Sequence, residues 1–584
     1  MKSRLWLLPA FLLAGCGAGG GSDGGAGAAA DGKTLYVSAQ AADGGDGSRQ
    51  HPFDSLADIE QASAPGDTLV VLPAPLDVAP LEGGIALQAG QRLIGGGPAV
   101  VQRRADAAIA GASALAALPR IANSNPLRQG GDAVRLAPGS EVRNLVIAAA
   151  SRGGIYGLNV PGTIIRGNDV SGTNTRCAVG FTVERFTAPT RLPYFGVPLI
   201  LPAGWAGIMV DADEGKGEVR ILDNHVHHAA CGNGIDLRIK GSADYRADLS
   251  GNFVTELHKG PLGETRELHL VHAITTQITD NARLEAVSVN NTQTFIGGPG
   301  ADCEGLFMNL ADNAFARWTI DRNIFEHGIG GFSCNGMEAV ISHGPAHGEM
   351  SISNSRFVDN PGDMLQQDNL GSGSTLILEL DRVIVRDTTE RPGSPDAQPL
   401  PFNLGECILA GSDGADNTTV LRVRDSEFSN CNNGLTILSG VSLLNGGLSD
   451  GLIDVEIVNS SFRNNAYNNL VVGVIAPLRE LRLRVENSDF RGAGDSALAF
   501  KRIDLGRIET ASVDFGGGTL GSRGGNCIAG GASHDATTEG LDVLLRGNWW
   551  GRAGGPDSSR LTQRRGSLDT GAPLGAAPAR CAAP

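Results

Sequence analysis

Two short stretches of this chain carry ionisable side chains at a spacing that could do chemistry together. In Ile235-Asp-Leu-Arg-Ile-Lys240 apolar and charged residues alternate, so Ile235, Leu237 and Ile239 face one way and Asp236, Arg238 and Lys240 the other. The stretch Gly207-Ile-Met-Val-Asp-Ala-Asp213 has a similar shape. Aligning Ile208 with Ile235 sets Asp211 beside Arg238 and Asp213 beside Lys240. Glu267, His269 and His272 come with the next repeat, and nine of the eleven histidines fall between 225 and 347, so imidazoles gather around the same stretch. Such a set holds cations that neutralise a carboxylate, carboxylates that accept hydrogen bonds, and a group that moves protons near neutral pH. It is equally what a ladder of cross-strand ion pairs looks like, each worth about 0.2–1 kcal/mol. His343-Gly-Pro-Ala-His347 spans a proline turn rather than a helix face, no Cys-x-x-Cys occurs, and the metal ligands are left unknown. No nucleotide-binding loop and no His-Glu-x-x-His zinc motif is expected.

These residues must be positioned by strands. Val219-Arg-Ile-Leu-Asp-Asn224-His-Val, Trp318-Thr-Ile-Asp-Arg-Asn323-Ile-Phe and Met350-Ser-Ile-Ser-Asn354-Ser-Arg-Phe share one grammar. So do Leu421-Arg-Val-Arg-Asp425-Ser-Glu-Phe, Val455-Glu-Ile-Val-Asn459-Ser-Ser-Phe and Leu483-Arg-Val-Glu-Asn487-Ser-Asp-Phe. Alternation gives a strand with one buried face, Asn or Asp breaks it, and another apolar residue follows. A second short strand comes after a Gly/Asn-rich turn, as in Gly234-Ile-Asp-Leu-Arg-Ile, Gly305-Leu-Phe-Met-Asn-Leu and Gly434-Leu-Thr-Ile-Leu. The asparagines at 224, 252, 290, 323, 354, 459 and 487 recur at about 30 residues, one coil of a parallel β-helix, where stacked Asn can bond along the stack. A β-sandwich lacks such a recurring motif, and a propeller blade of about 40–45 residues is longer than most repeats here. The predicted fold class is therefore all-β: a single-stranded right-handed parallel β-helix over 34–560, with a tail at 561–584. A solenoid of this length is one unit, because each repeat contacts only its neighbours.

This grammar resembles that of right-handed parallel β-helix repeat proteins, a group that includes pectate lyase-like enzymes, over about residues 34 to 556. Tyr36-Val-Ser, Gly47-Ser-Arg-Gln-His-Pro-Phe53 and Pro65-Gly-Asp-Thr-Leu-Val-Val-Leu72 look like the opening segment of many such proteins. Gly547-Asn-Trp-Trp-Gly551 with Gly555-Pro556 looks like their last coil. Open solenoid ends invite pairing. Ser55-Leu-Ala-Asp58 reads as a capping box, so a short helix over 54–63, with Leu56, Ile59 and Ala62 as its apolar stripe, is expected to cover the first coil. Trp549 and Trp550 are expected to close the other end.

In pectate lyase-like enzymes the outer strand face binds acidic polysaccharide. The resemblance implies Arg238, Lys240 and His269 as catalytic groups and Asp211, Asp213 and Asp236 as substrate-binding groups, with Ca²⁺ as the cofactor to consider. Two functions stay open: a surface module that binds glycan or another extracellular ligand without turnover, and a polysaccharide lyase or hydrolase acting on acidic polysaccharide.

The ends and the cysteines set the compartment. Lys2 and Arg4 precede an apolar run from Leu5 to Ala14, too short for a membrane span of about 20 residues. Leu13-Ala-Gly-Cys16 resembles the lipobox of bacterial lipoproteins, which implies cleavage before Cys16 and a lipid on its thiol. Residues 1–16 are then a signal peptide and 17–33 a flexible Gly/Ala-rich tether. Gly17 lacks the aspartate that in that family favours the inner membrane, so an outer-membrane or cell-surface location is expected. The formal charge of −16 becomes −18 once Lys2 and Arg4 leave, which argues against nucleic acid as a partner. The 83 glycines lack the every-third-residue period of collagen. The expected partners are a membrane, through the lipid, and a polysaccharide, with the chain itself a monomer. Eight cysteines remain after Cys16, an even number in an exported chain, so disulfides are the default. Cys303 and Cys334 each precede an inward apolar residue by three, which places them on successive coils. Cys407 and Cys431 are one coil apart, and Cys177–Cys231 and Cys527–Cys581 follow by elimination. Feeding cells a clickable fatty acid should label the wild-type protein and not Cys16→Ser; equal labelling of both would refute lipid attachment.

Overall fold

A computed structural model describes residues 32–101, 117–186, 198–258, 270–298, 302–329, 333–388, 405–440, 450–502 and 507–582. The lipobox with Cys16, residues 17–31 of the tether, and His269 lie outside the described residues. The chain winds as a right-handed parallel β-helix in which each coil lays one strand on each of three sheets. One coil runs Ile208–Ala212, Lys216–Leu222, His225–His227; the next runs Ile235–Ile239, Asp244–Asp248, Phe253–Leu257. We call the sheets built from these successive strands one, two and three. Among the described residues sheet two counts 17 strands and sheet three 11.

Register is what makes the coil. Ile208 pairs with Ile235, Ile235 with Ile274, and the column continues through Leu306, Met337, Leu365, Ile408, Leu435, Leu470 and Leu498. Every one of these side chains is buried, and each buried aliphatic contributes about 1.5–3 kcal/mol. Sheet three adds a phenylalanine column: the Phe428 and Phe462 rings stack at 4.6 Å, and Phe462 and Phe490 at 5.4 Å.

The corner between sheets two and three uses two residues, and the sequence pattern had merged them. The first has left-handed backbone: Asp223 (φ 54°), Asn290 (57°), Asn354 (48°), Asn459 (54°) and Asn487 (48°). Asn and Asp tolerate that region because their short side chains bond locally. The second residue is buried and forms the ladder. Asn168, Asn224, Asn252, Asn291 and Asn323 hold it in the first half, and Ser355, Ser426, Ser460 and Ser488, then Asn526 and Asn548, hold it afterwards. The stacked positions are thus 291, 355, 460 and 488 where 290, 354, 459 and 487 were expected; only 224, 252 and 323 were read in the right place. Each ladder oxygen accepts the backbone N–H of the preceding coil, as Asn252 Oδ1 does from Asn224 N at 3.1 Å, and Asn252 Nδ2 donates to Ile221 O at 2.8 Å.

The N-terminal end carries a helix, whereas the far end continues past the two tryptophans expected to close it. Helix Leu56–Ala62 starts at Ser55, whose Oγ accepts from Asp58 N at 3.2 Å. Leu56 and Ile59 enter the core, whereas Ala62 is exposed and takes no part in the expected stripe. At the far end Trp550 is buried in the core and Trp549 is half-buried. Strands Leu561–Arg564 and Leu568–Asp569 still pair onto sheets one and two. Disulfides join Cys177 to Cys231, Cys303 to Cys334, Cys407 to Cys431 and Cys527 to Cys581. Cys303 and Cys334 are direct register partners.

The two corner positions should respond unequally to substitution. Asn252→Ala leaves the Asn224 N–H and the Ile221 carbonyl without their partner and should cost about 1–3 kcal/mol for each stranded group. Asn290→Gly keeps a residue that tolerates positive φ and should change stability by about 0.5 kcal/mol or less. Urea unfolding midpoints read both; equal losses would show that the corner is not divided this way.

Candidate functional site

The outer face of sheet one holds the ionisable residues singled out above. Ile235, Leu237 and Ile239 point into the core, so Asp236 and Arg238 point out. The register sets Asp211 beside Arg238. Arg238 Nε donates to Asp211 Oδ1 at 2.5 Å, its Nη2 donates to Asp211 Oδ2, and its Nη1 donates to the carbonyl of Gly180. That carbonyl belongs to an antiparallel hairpin, Val179–Phe186 with Pro198–Gly204, laid against the outside of sheet one, where Phe181 packs on Phe307 and Val340. Although burial alone would lower the Arg238 pKa, the hydrogen bonds and charge of Asp211 raise it. Arg238 is a committed cation with its fork occupied, and Tyr156 OH donates to the same carboxylate at 3.2 Å. Burial, then the Asp211 charge, pushes the Tyr156 hydroxyl up to about 12.

The other expected residues are dispersed. Lys240 is exposed at the strand end. Asp213 accepts from Asn159 Nδ2 at 2.6 Å, and among the described residues no ion pair joins it to Lys240. Asp236 is wholly buried, with Asn233 Nδ2 at 3.1 and 3.0 Å from its two oxygens. Burial pushes its pKa up to about 7, opposed first by the Asn233 hydrogen bond. The stretch Gly27–Thr34 does spell the letters of a phosphate-binding loop, contrary to expectation, but strand Thr34–Val37 follows where that loop needs a helix. Lys33 N also donates to Asp67 at 2.7 Å.

A second set on this face escaped the sequence reading. At the start of successive sheet-one strands stand Asn233, His272, Glu304, Asn335, Asp363, Glu406 and Asn433, every one buried. Asn233 Oδ1 accepts from His272 N at 2.9 Å, and His272 Nε2 lies 2.5 Å from Glu304 Oε2. Asn335 Nδ2 donates to Gln366 Oε1 at 2.8 Å, and Gln366 Nε2 to Asp368 at 2.6 Å. Asp363 Oδ1 accepts from Gly405 N at 2.9 Å and Glu406 N at 3.0 Å, and Glu406 Oε1 accepts from Asn433 Nδ2 at 3.1 Å. Burial raises both carboxyls, Glu406 the further because Asp363 stands beside it. The signal was present: Asn233, Glu304, Asn335 and Asn433 each precede a glycine that opens the second strand of the repeat.

Towards the N-terminal end of the face lie flat side chains. Trp205 meets Tyr156 edge-on at 5.2 Å between ring centres, and the Arg152 guanidinium sits 4.0 Å from the Trp205 ring. Arg152 and Arg135 in turn pair with Asp132.

No family model matches the sequence, and no curated protein does. Among solved structures, the catalytic unit of a GH87 α-1,3-glucanase from Streptomyces thermodiastaticus is similar at 12% identity and a TM-score of 0.35, over 80% of this chain and 64% of that one. This chain therefore spans less than two thirds of the glucanase unit. A DFA-IIIase from Arthrobacter chlorophenolicus is similar at 11% identity and a TM-score of 0.32, over 79% of this chain and 88% of that one. The family 28 exopolygalacturonase of Yersinia enterocolitica gives 11% and 0.30, over 83% and 79%. The coiled architecture stands on the strand registers of this chain itself.

Asp236 gives the face a pH signature. Its folded pKa, about 7, lies above the ordinary 3.8, so its contribution to stability is full below the lower value and is lost as pH rises through the upper one. Relative to Asp236→Asn, the wild-type melting temperature should fall between about pH 4 and about pH 8, by an amount on the order of 4 kcal/mol in stability. Parallel curves for the two proteins would show that Asp236 is not held neutral.

Proposed function

We propose that this is an exported, lipid-anchored β-helix protein that binds a neutral glycan along the outer face of sheet one. The observation that carries the reading is the balance of that face. Asp132, Asp211, Asp236, Glu304, Glu338, Asp363, Asp368 and Glu406 outnumber Arg135, Arg152, Arg238 and His272 among the described residues. The arginines are already held by Asp132 and Asp211. An acidic polymer would find these arginines already committed, whereas sugar hydroxyls suit carboxyls and amides, charged or neutral. Anchoring rests on Leu13–Cys16.

A second reading, hydrolysis of the bound glycan, is favoured by one observation. Asp363 and Glu406 are adjacent carboxyls; burial raises both, and the Asp363 charge raises Glu406 further, the direction a general acid at a glycosidic oxygen needs. Lyase chemistry is less well served, since Arg238 keeps its proton and its hydrogen bonds are spent on Asp211 and Gly180.

Titration calorimetry of the full-length protein against α-glucan, β-glucan and xylan oligosaccharides, with oligogalacturonate as the polyanion, tests both readings. A neutral oligosaccharide should bind saturably, and Gln366→Ala should weaken it about five- to tenfold by removing a polar contact from the middle of the row. Tighter binding of oligogalacturonate than of any neutral glycan, or no binding at all, would overturn the proposal. New reducing ends without a new ultraviolet-absorbing double bond, lost about 10²–10⁴-fold in Glu406→Gln, would establish the hydrolase. Binding without cleavage leaves the glycan module.

A further inference from the structure

The outer face of sheet three carries an imidazole cluster that takes no part in the sheet-one site. Asp169, His225 and Phe253 occupy one outward column there, and Ser171, His227 and Thr255 the next. His228 follows strand His225–His227 and Glu256 lies within Phe253–Leu257, both in left-handed backbone (φ 50° and 52°), which turns their side chains towards each other on adjacent coils.

Five distances define the arrangement. His227 Nδ1 lies 2.6 Å from His228 Nδ1. The far nitrogen of each ring faces a carboxylate: His227 Nε2 is 3.2 Å from Asp169 Oδ1, and His228 Nε2 is 2.9 Å from Glu256 Oε2. His225 Nδ1 is 3.3 Å from Asp169 Oδ2, and its ring stacks on that of His227 at 4.1 Å between centres. Asp169 is fully buried, His227 nearly so, and His228 is exposed.

A neutral imidazole carries one N–H and one lone pair. If each Nε2–H is donated to its carboxylate, both Nδ1 atoms present lone pairs to one another, and two acceptors at 2.6 Å repel unless a cation lies between them. Donation of the far N–H to a carboxylate is also how metal-bound histidines are oriented and made more basic. We propose that His227 and His228 bind one divalent transition-metal ion of the zinc class through their Nδ1 atoms, with a small rotation of the rings to admit it. Asp169 and Glu256 act as positioning residues behind them.

The donor set selects the ion. Imidazole nitrogens suit zinc, nickel and cobalt, whereas calcium and magnesium take oxygen ligands. The exposed side of His228 leaves room for water in the remaining positions. Because Asp169, the two histidines and Glu256 come from three successive coils, the ion ties those coils together from outside.

The test uses the full-length protein stripped with chelator. Titration with ZnCl₂ should show one saturable site, and CoCl₂ should develop visible d–d absorption, with CaCl₂ producing neither. His227→Ala and His228→Ala should each abolish the site. Glu256→Gln should weaken it about 10–100-fold, and His347→Ala, remote in the chain, should leave it unchanged. Circular dichroism of each variant, together with oligosaccharide binding, checks that the coil is intact. The proposal is overturned if zinc binding survives in His228→Ala, or if the wild type takes up no zinc and the cobalt spectrum stays blank. The second outcome would show that the two rings share a proton instead.

Discussion

Between Leu145 and Asn526 every described coil but one turns from sheet two into sheet three on the same bond, a backbone N–H given to the buried Asn or Ser side chain of the coil that follows. The corner cannot be solvated, since it lies inside the stack, and an unpaired amide there would cost as much as the bond is worth. One polar side chain per coil removes that problem and fixes the vertical register at the same time. Once the corner is aligned, the aliphatic column beneath sheet one and the phenylalanine column beneath sheet three must also align. The outward residues of successive strands then fall into columns, and only then do Asp363 and Glu406, 43 residues apart in the chain, become neighbours.

The same register explains what could be read in advance. Aligning Ile208 with Ile235 was enough to pair Asp211 with Arg238, because both strands alternate and no insertion separates the inward residues from the outward ones. What the alternation did not carry was the rest of the Arg238 shell. Gly180 O arrives from a hairpin outside the repeat, and a backbone carbonyl leaves no mark in a residue pattern. The ladder was misplaced by one in four coils because Asn favours both positive φ and a buried amide role, and the two positions are adjacent. Serine, which serves the ladder from 355 to 488, was not recognised as an equivalent. His228 and Glu256 sit where alternation ends, so no period-two pattern could couple them.

Charge is arranged differently on the outer faces of sheets one and three. On sheet one the acids are buried among amides and kept partly neutral, so an acid-rich face need not behave as a strong anion. On sheet three the acids stand within reach of imidazole nitrogens. A carboxylate is thus held by burial and amides on one face and beside imidazoles on the other. Burial and the nearest donor, rather than residue type, decide which.

One rung of the corner ladder is missing. The position between Ser355 and Ser426 is Val383, which gives its own N–H to Ser426 Oγ at 3.0 Å but has no side-chain oxygen to offer the coil before it. No disulfide crosses this level: two close on the N-terminal side, at 177–231 and 303–334, and two on the C-terminal side, at 407–431 and 527–581. In a quasi-one-dimensional stack, cooperativity passes only through nearest-neighbour interfaces. The disulfides thus fall in two groups on either side of a level that lacks the corner bond. Cohesion between those two coils is left to the strand pairing, which continues across it in full register.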